Sequence, residues 1–228
     1  MTAPPFTVKY TPETAAAAPD GRLFSPSFSR NFEPITDALR PLLEGRGGAL
    51  LEIGSGTGQH VAHWAAAFPG LTWVPSDIHP EHHASIAAWA RVLAPPNLAA
   101  PLHLDAGGDW AGTAQVRALG PLAAVIAVNV IHIAPWPVAE GIVAGAARAL
   151  AQGGDSGGAL VFYGPFRRAG QHTAPSNAAF DAALRAENRD WGVRDLDEVA
   201  MLAGEAGFGP ARVVEMPANN LLAAFPRA

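Results

Sequence analysis

The stretch LEIGSGTGQH, residues 51–60, gives the strongest indication of the fold in this sequence. It overlaps a short apolar run, ALLEI at 49–53, which is bounded by glycines as a buried strand is. Three glycines at alternating positions then lead into a helical segment from about residue 59 to 68. A glycine-rich turn between a strand and a helix directs backbone N–H groups and the positive helix end toward a ligand. The stretch therefore predicts a nucleotide-like ligand at the carboxyl end of a strand.

Apolar runs and helical patterns alternate through most of the remaining chain. The further predicted strands are TWVPSD (72–77), APLHLD (100–105), LAAVIAVNVIHI (122–133) and ALVFYGPF (159–166). Helices are predicted at about 33–44, 80–93, 138–150, 178–187 and 196–206, and Pro41 is expected to kink the first of them. This alternation is typical of an α/β fold with a mostly parallel, doubly wound sheet and right-handed crossovers.

The end of the chain departs from this alternation. ARVVEMP, ANN and LLAAF follow one another at 211–225, and two apolar runs joined so tightly predict a hairpin. The last strand should then run antiparallel to its neighbour. We expect a single domain over residues 30–228, preceded by a Pro- and Ala-rich arm at 1–29 that is a possible lid.

Composition excludes several classes of protein. The 228-residue chain carries a formal charge of −5 and no cysteine, and its basic residues are scattered. These features give no general attraction to nucleic acid and no support for a disulfide framework. Neither a secretory signal nor an apolar run of membrane-spanning length is present, so we expect a cytoplasmic protein that does not bind membranes. The histidines lack a convincing set of metal ligands, and the oligomeric state cannot be read from the sequence.

The glycine spacing separates two nucleotide ligands. A dinucleotide fingerprint, G-x-G-x-x-G, needs its third glycine at position 59, where the chain has Gln59. The sequence instead offers an acid followed by a tighter pattern, Glu52-x-Gly54-x-Gly56-x-Gly58. Asp77 follows about twenty residues later at the end of the next predicted strand, where a carboxylate can accept hydrogen bonds from both ribose hydroxyls.

Taken with the predicted hairpin, these motifs resemble a class I S-adenosylmethionine (SAM) methyltransferase over residues 30–228. RNFEPI, NVIHIAPW, YGPFRRAGQHTAPSNAAFD, WGVRDLDEV and EMPANN resemble, more narrowly, the uncharacterised methyltransferase-like family called domain of unknown function 938. The resemblance implies a seven-stranded Rossmann-like sheet and SAM as the cofactor, with S-adenosylhomocysteine (SAH) as its product. It also implies that the glycine turn lies against the methionine part, that Asp77 binds the ribose, and that Asp105 and Trp110 flank the adenine. The predicted cofactor residues are Glu52, Gly54, Ser55, Gly56, Thr57, Gly58, Asp77, Asp105, Trp110 and Asn129.

The acceptor is expected at the same edge, because ligands of open parallel sheets bind outside the carboxyl ends of the strands. His132 is the candidate base, since histidine exchanges protons near neutral pH, with a core histidine as the alternative. Tyr163 is predicted to orient the acceptor, or else to pack in the core. The predicted substrate-binding residues are Arg30, Asn31, Arg167, Asn219 and Asn220. The arginines suggest an anionic small molecule.

Two other function classes remain open. A nicotinamide-dependent oxidoreductase would use the same turn, but Gln59 and the short chain disfavour it. A non-catalytic SAM-binding protein would keep Gly56 and Asp77 without needing His132 or Tyr163. The sequence does not decide whether oxygen, nitrogen or sulfur receives the methyl group.

Overall fold

A seven-stranded sheet forms the centre of the protein, for which a computed structural model describes residues 15–152 and 157–227. The strands are β1 (Ala49–Ile53), β2 (Thr72–Asp77), β3 (Leu102–His103), β4 (Leu122–Val128), β5 (Ala159–Gly164), β8 (Arg212–Met216) and β9 (Asn220–Pro226). Their order is β3-β2-β1-β4-β5-β9-β8, with β1 to β5 parallel and β9 antiparallel to both of its neighbours. The predicted fold class and the C-terminal hairpin are therefore confirmed.

Seven helices accompany this sheet in the described chain. They are α1 (Phe28–Leu43), α2 (Gln59–Ala67), α3 (Pro80–Leu93), α4 (Ala114–Arg117), α5 (Trp136–Ala151), α6 (Pro175–Glu187) and α7 (Leu196–Glu205). Two short strands, β6 (Arg167–Arg168) and β7 (Gln171–His172), form a separate hairpin. Within the described ranges, no helix combines the length and the apolar character needed to cross a membrane.

Two apolar cores lie on opposite faces of the sheet. On one face, α1 and α2 pack Leu39 and Trp64 over inward residues such as Val161 of β5. On the other face, α5 and α7 place Ile142 and Val199 in the second core. The central strands β1 and β5 are buried along their whole length, as expected for parallel strands covered on both sides.

The boundaries differ from the sequence prediction where the backbone turns sharply. The predicted strand 122–133 ends at Val128, because Asn129 has a φ of 61° and the chain continues as a 3-10 helix at Val130–His132. The predicted third strand, 100–105, pairs only at Leu102–His103. Helix α1 begins five residues before its predicted start and continues through Pro34 and Pro41.

The described part of the predicted arm, residues 15–29, includes the first two residues of α1, and its middle packs on the body of the protein. Leu23 is buried; its N–H donates to Ser85 Oγ at 2.9 Å, and its carbonyl accepts from Trp89 Nε1 at 2.9 Å. Slightly further along the arm, the Ser25 N–H donates to Gln59 Oε1 at 2.9 Å. The arm is thereby attached to α2 and α3. Its first fourteen residues lie outside the described chain, and a lid function stays a prediction.

Candidate functional site

A cavity of about 650 Å³ opens at the carboxyl edge of the sheet. Its wall combines the chain after four neighbouring strands with two outlying segments. The contributing residues are 52–57 at the end of β1, His60 of α2, 77–79 and His82 at and after the end of β2, 104–107 after β3, 128–130, Ile133, Pro135, Pro137 and Val138 at and after the end of β4, Ser25 and Ser27 of the arm, and Asp190 between α6 and α7. This is the edge at which an open α/β sheet binds its ligands.

The glycine turn after β1 requires glycine for steric reasons. Gly54 and Gly58 have φ angles of 67° and 77°, in the left-handed region that side chains disfavour. A Cβ atom on Gly58 would lie 2.7 Å from the Ile86 Cα of α3, and one on Gly54 would lie 2.7 Å from Val130 Cγ2. Gly58 also precedes the first residue of α2, so the open N–H groups of that helix start at the turn.

Asp77 fixes the glycine turn from the end of β2. Its Oδ2 accepts from the Gly56 N–H at 2.8 Å, its Oδ1 accepts from the His79 N–H at 2.9 Å, and His82 Nδ1 lies 3.0 Å from Oδ2. Burial raises the pKa of Asp77, but His82 and the two amides outweigh it, and the net pKa is lowered. The carboxylate is thus ionised, with three of its roughly four acceptor positions used by the protein.

Glu52 presents the opposite case in the same wall. Its side chain is buried, and this desolvation raises the pKa of Glu52 to about 7, against a hydrogen bond from Ser55 that lowers it. Oε2 of Glu52 has no hydrogen-bond partner among the described residues. A buried carboxylate oxygen without a partner costs free energy, and a ligand donor would recover it.

The wall as a whole is acidic. Four carboxylates, from Glu52, Asp77, Asp105 and Asp190, contribute to it together with His60, His79 and His82. No lysine or arginine belongs to this wall in the described chain. A cationic or neutral ligand is therefore favoured over one that carries phosphates.

His60 connects the cavity to a second group of polar residues. Its Nε2 lies 2.8 Å from Asn31 Oδ1, and burial lowers the pKa of His60 to about 4, so the ring is neutral at pH 7. Burial raises the pKa of Tyr163, while interactions of its hydroxyl with Asn31, Arg30 and Asn220 oppose that rise. Tyr163 thus interacts with three other predicted acceptor-site residues, Arg30, Asn31 and Asn220, and Asn31 in turn contacts His60.

His132 lies outside the cavity wall. The ring is fully buried, its Nδ1 accepts from the Arg194 N–H at 3.2 Å, and Phe166 packs edge-on against it. Burial in this core, with the nearby charge of Arg194, lowers the pKa of His132 to about 3. These surroundings are those of the alternative stated for His132, a histidine held in the core.

Trp110, Arg167 and Asn219 also lie away from the wall. Trp110 is buried against α5, where its Nε1 donates to the Gly141 carbonyl at 3.0 Å. The Arg167 N–H donates to the Arg194 carbonyl at 2.9 Å, and Asn219 Nδ2 donates to Ser176 Oγ at 3.2 Å. The structure therefore places none of the arginines proposed for an anionic acceptor in the cavity wall.

Residues 22–227 match a family described as a protein of unknown function (DUF938). The chain belongs to this family. The fold of this DUF938 chain is similar to that of O-methyltransferase family 2 protein from Planctomyces limnophilus in complex with apigenin (TM-score 0.69, 20% identity, 87% of this chain and 56% of that one). It is also similar to human N-acetylserotonin methyltransferase in complex with SAM (TM-score 0.68, 14% identity, 88% of this chain and 52% of that one).

A third similar structure is close to this DUF938 chain in length. Magnesium protoporphyrin IX methyltransferase from Synechocystis with bound SAH has a TM-score of 0.61 and 15% identity, with 86% of this chain and 81% of that one covered. The chain spans little more than half the length of the first two proteins. At these identities the likeness to the solved structures shows the fold alone. The predicted resemblance to the methyltransferase-like DUF938 family is confirmed by the family match together with this fold.

Sequence reasoning missed several wall residues of the DUF938 chain. His60 had a usable signal, since it is the second residue of the helix that follows the glycine turn. Ser25 and Ser27 come from a segment without periodicity, and Asp190 comes from a loop 113 residues after Asp77 in the sequence. No local pattern places such residues at a distant strand end.

Proposed function

We propose that this protein is a SAM-dependent methyltransferase that acts on a small molecule. One observation carries the proposal: the glycine turn opens into a wall of four carboxylates without lysine or arginine in the described chain. SAM brings a sulfonium and an ammonium group, both positive, to such a wall. A nicotinamide dinucleotide would bring a pyrophosphate, which the aspartates of a wall without lysine or arginine in the described chain would repel.

The residues present fit this cofactor. Glu52 Oε2, buried without a partner among the described residues, would accept a hydrogen bond from the ammonium group. Asp77 retains about one acceptor position, enough for one ribose hydroxyl rather than the two that the sequence suggested. The segment 104–107 with Asp105 would border the adenine, and the amides of the glycine turn would face the methionine carboxylate.

SAM supplies an electrophilic methyl group, which passes in line to a nucleophile. The chain must therefore hold the acceptor, exclude water and, for a hydroxyl or amine acceptor, remove a proton. His60 is better placed for proton removal than His132, because it borders the cavity and His132 does not. With Nε2–H donated to Asn31 Oδ1, the lone pair of Nδ1 is left to accept a proton. Ser25 and Ser27 would close the same space from the arm.

Calorimetric titration tests the cofactor assignment. Wild-type protein is titrated with SAM, SAH and, separately, NAD. The same titrations follow on Asp77→Asn, which keeps one side-chain oxygen, and on Asp37→Ala, an exposed carboxylate of α1. We expect SAM and SAH to bind, NAD not to bind, and Asp77→Asn to lose about ten- to a hundredfold in SAM affinity through a charge-assisted contact. Asp37→Ala should bind as the wild type does.

Each other outcome rejects part of the proposal. Binding of NAD in place of SAM would favour the oxidoreductase. Binding of SAM without transfer of a labelled methyl group to any of a panel of phenols, amines and thiols would favour the non-catalytic SAM-binding protein. If neither cofactor binds, the interpretation of the glycine turn is wrong.

A further inference from the structure

One arginine behind the cavity wall connects two loops. Arg194 Nε donates to the Ile131 carbonyl at 2.9 Å, and its Nη2 donates to the carbonyls of Ala134 and Asp190 at 2.7 Å each. Three backbone oxygens from two separate loops therefore share a single guanidinium. Its planar fork of donors suits such a task, since it bonds several acceptors in fixed directions.

The backbone around Arg194 strengthens this connection. The Arg194 N–H donates to His132 Nδ1 at 3.2 Å, and the Gly192 N–H donates to the His132 carbonyl at 2.9 Å. The guanidinium also lies 5.7 Å from the ring centre of Trp136, the first residue of α5. The neutral ring of His132, which burial keeps unprotonated, thus accepts a hydrogen bond from the Arg194 backbone.

The two connected loops both form the cavity. Residues 129–135, after β4, contribute Asn129, Val130, Ile133 and Pro135 to its wall. The loop between α6 and α7 contributes Asp190, whose own carbonyl Arg194 binds. Arg194 itself does not belong to the wall. It acts on the cavity only through the backbone that it holds.

We propose that Arg194, seated against His132, is a positioning residue that fixes the cavity wall at 129–135 and 190 in its ligand-binding shape. A change in SAH affinity tests this role only if the proposed function is correct. A change in the mobility of residues 129–135 tests it independently of that function. The sequence motif WGVRDLDEV, which the predicted site does not use, has this structural role at its arginine.

The test compares two arginines that make similar contacts. Arg194→Lys keeps the charge but cannot bond three carbonyls in fixed directions. Arg227→Lys is the matched control, because Arg227 Nη1 also donates to backbone carbonyls, those of Ala206 and Gly207, and its guanidinium lies 5.8 Å from the Phe208 ring. Arg227 lies outside the cavity wall. SAH affinity is measured by calorimetry, and amide hydrogen exchange is followed at 129–135.

We expect Arg194→Lys to bind SAH about tenfold more weakly than the wild type, from the loss of hydrogen bonds to a charged group. Exchange at 129–135 should be faster in this variant, with β5 unchanged. Arg227→Lys should leave both readouts at wild-type values. In Arg194→Ala, added guanidinium chloride at millimolar concentration should restore part of the SAH affinity. Sodium chloride at the same ionic strength should not restore it.

Unchanged SAH affinity and unchanged exchange in Arg194→Lys would overturn the proposal, as would equal effects in Arg227→Lys. If Arg194→Lys does not fold, Arg194 is a requirement of the fold and the proposal is wrong. If the wild type does not bind SAH, the proposed function fails, and faster exchange at 129–135 still supports the positioning role while unchanged exchange rejects it.

Discussion

Strand β1 has a glycine-rich turn at each end, and the two turns have different consequences. GRGG at 45–48 precedes the strand and GSGTG at 54–58 follows it. Each turn borders a cavity, of about 700 Å³ at the amino end and about 650 Å³ at the carboxyl end. Glycine content and cavity size therefore do not distinguish the two regions.

The polar groups around the two turns distinguish these regions. The only charged side chain in the described wall of the amino-end cavity is Arg46, whose guanidinium donates to the carbonyls of Leu42 and Gly157. At the carboxyl end, Glu52 Oε2 is buried without a partner among the described residues, and α2 begins with open N–H groups. Glycines border a cavity at both ends of β1. The direction of the strand decides that a helix ends before the amino-end turn and that another begins after the carboxyl-end turn. Substitutions at both ends of β1 test whether these polar groups set the two cavities apart.

The largest expected difference is between two glycines with similar backbone angles. Gly58→Ala should lower the free energy of unfolding by about 3 kcal/mol, because a strained φ adds to a clash with Ile86. Gly45 has a φ of 70°, and a Cβ added there would meet no atom within 4 Å, so Gly45→Ala should cost only about 1 kcal/mol. Urea denaturation measures both values. Equal losses would mean that the turn after β1 can relax away from α3.

The second expected effect is a pH dependence of stability from His132. The pKa of His132 is lowered from 6.5 to about 3 in the folded protein. Between pH 6.5 and pH 3, His132 is therefore protonated in the unfolded chain and neutral in the folded protein. Its contribution is complete above pH 6.5 and is lost as the pH falls, at up to about 1.4 kcal/mol per pH unit. His132→Asn keeps an acceptor for Arg194 but cannot take up a proton.

Urea denaturation of both proteins between pH 7 and pH 4.5 checks this prediction. The stability advantage of the wild type over His132→Asn should shrink steadily as the pH falls. His60→Asn should show the same trend, because the pKa of His60 is lowered to about 4. A difference that stays constant with pH would mean that His132 is not desolvated as described.

The third effect concerns Glu52 and cofactor binding. Burial raises its pKa to about 7, so a positive ligand group must bind the ionised form at the expense of the protonated one. SAM affinity should therefore rise about tenfold from pH 6 to pH 8 in the wild type, and this rise should vanish in Glu52→Gln. Calorimetry at three pH values measures it. Glu44→Gln, beside the amino-end turn, serves as the control and should behave as the wild type.

Glu52→Gln should increase the stability of the protein at pH 8, although it removes the rise in SAM affinity. Because the folded pKa of Glu52 lies above its ordinary value of 4.5, the wild type loses stability as the pH rises through about 7. Glu52→Gln removes this loss and should unfold at a higher urea concentration at pH 8. A variant that is less stable at pH 8 would show that Glu52 has a partner that compensates its burial.

The smallest effect is expected at the amino-end cavity. Arg46→Ala removes side-chain hydrogen bonds to two backbone carbonyls and should cost about 1 kcal/mol of stability. It should leave SAM affinity unchanged, which calorimetry on the folded variant tests. A clear loss of affinity would remove the distinction between the two ends of β1.

Much of the fold follows from local patterns. The run ALLEI, the glycine turn and the alternation after it predicted the parallel sheet, and ARVVEMP with LLAAF predicted the antiparallel hairpin. The boundaries were less accurate where single residues change the backbone direction, as Asn129 does at the end of β4. Helix α1 contains Pro34 and Pro41, and the packing of its apolar face in the core outweighs the two missing hydrogen bonds.

The candidate site likewise contains residues that local patterns predicted and residues that long-range contacts bring together. The glycine turn, with Glu52 before it and Asp77 at the next strand end, could be predicted from the sequence, because each of these follows from a local strand-turn-helix pattern. Ser25 and Asp190 in the cavity wall, and His132 outside it, could be placed only from the three-dimensional structure. Burial, charge balance and the contacts of Arg194 depend on segments far apart in the chain, and side-chain pKa values and functional positions follow from those contacts rather than from sequence spacing.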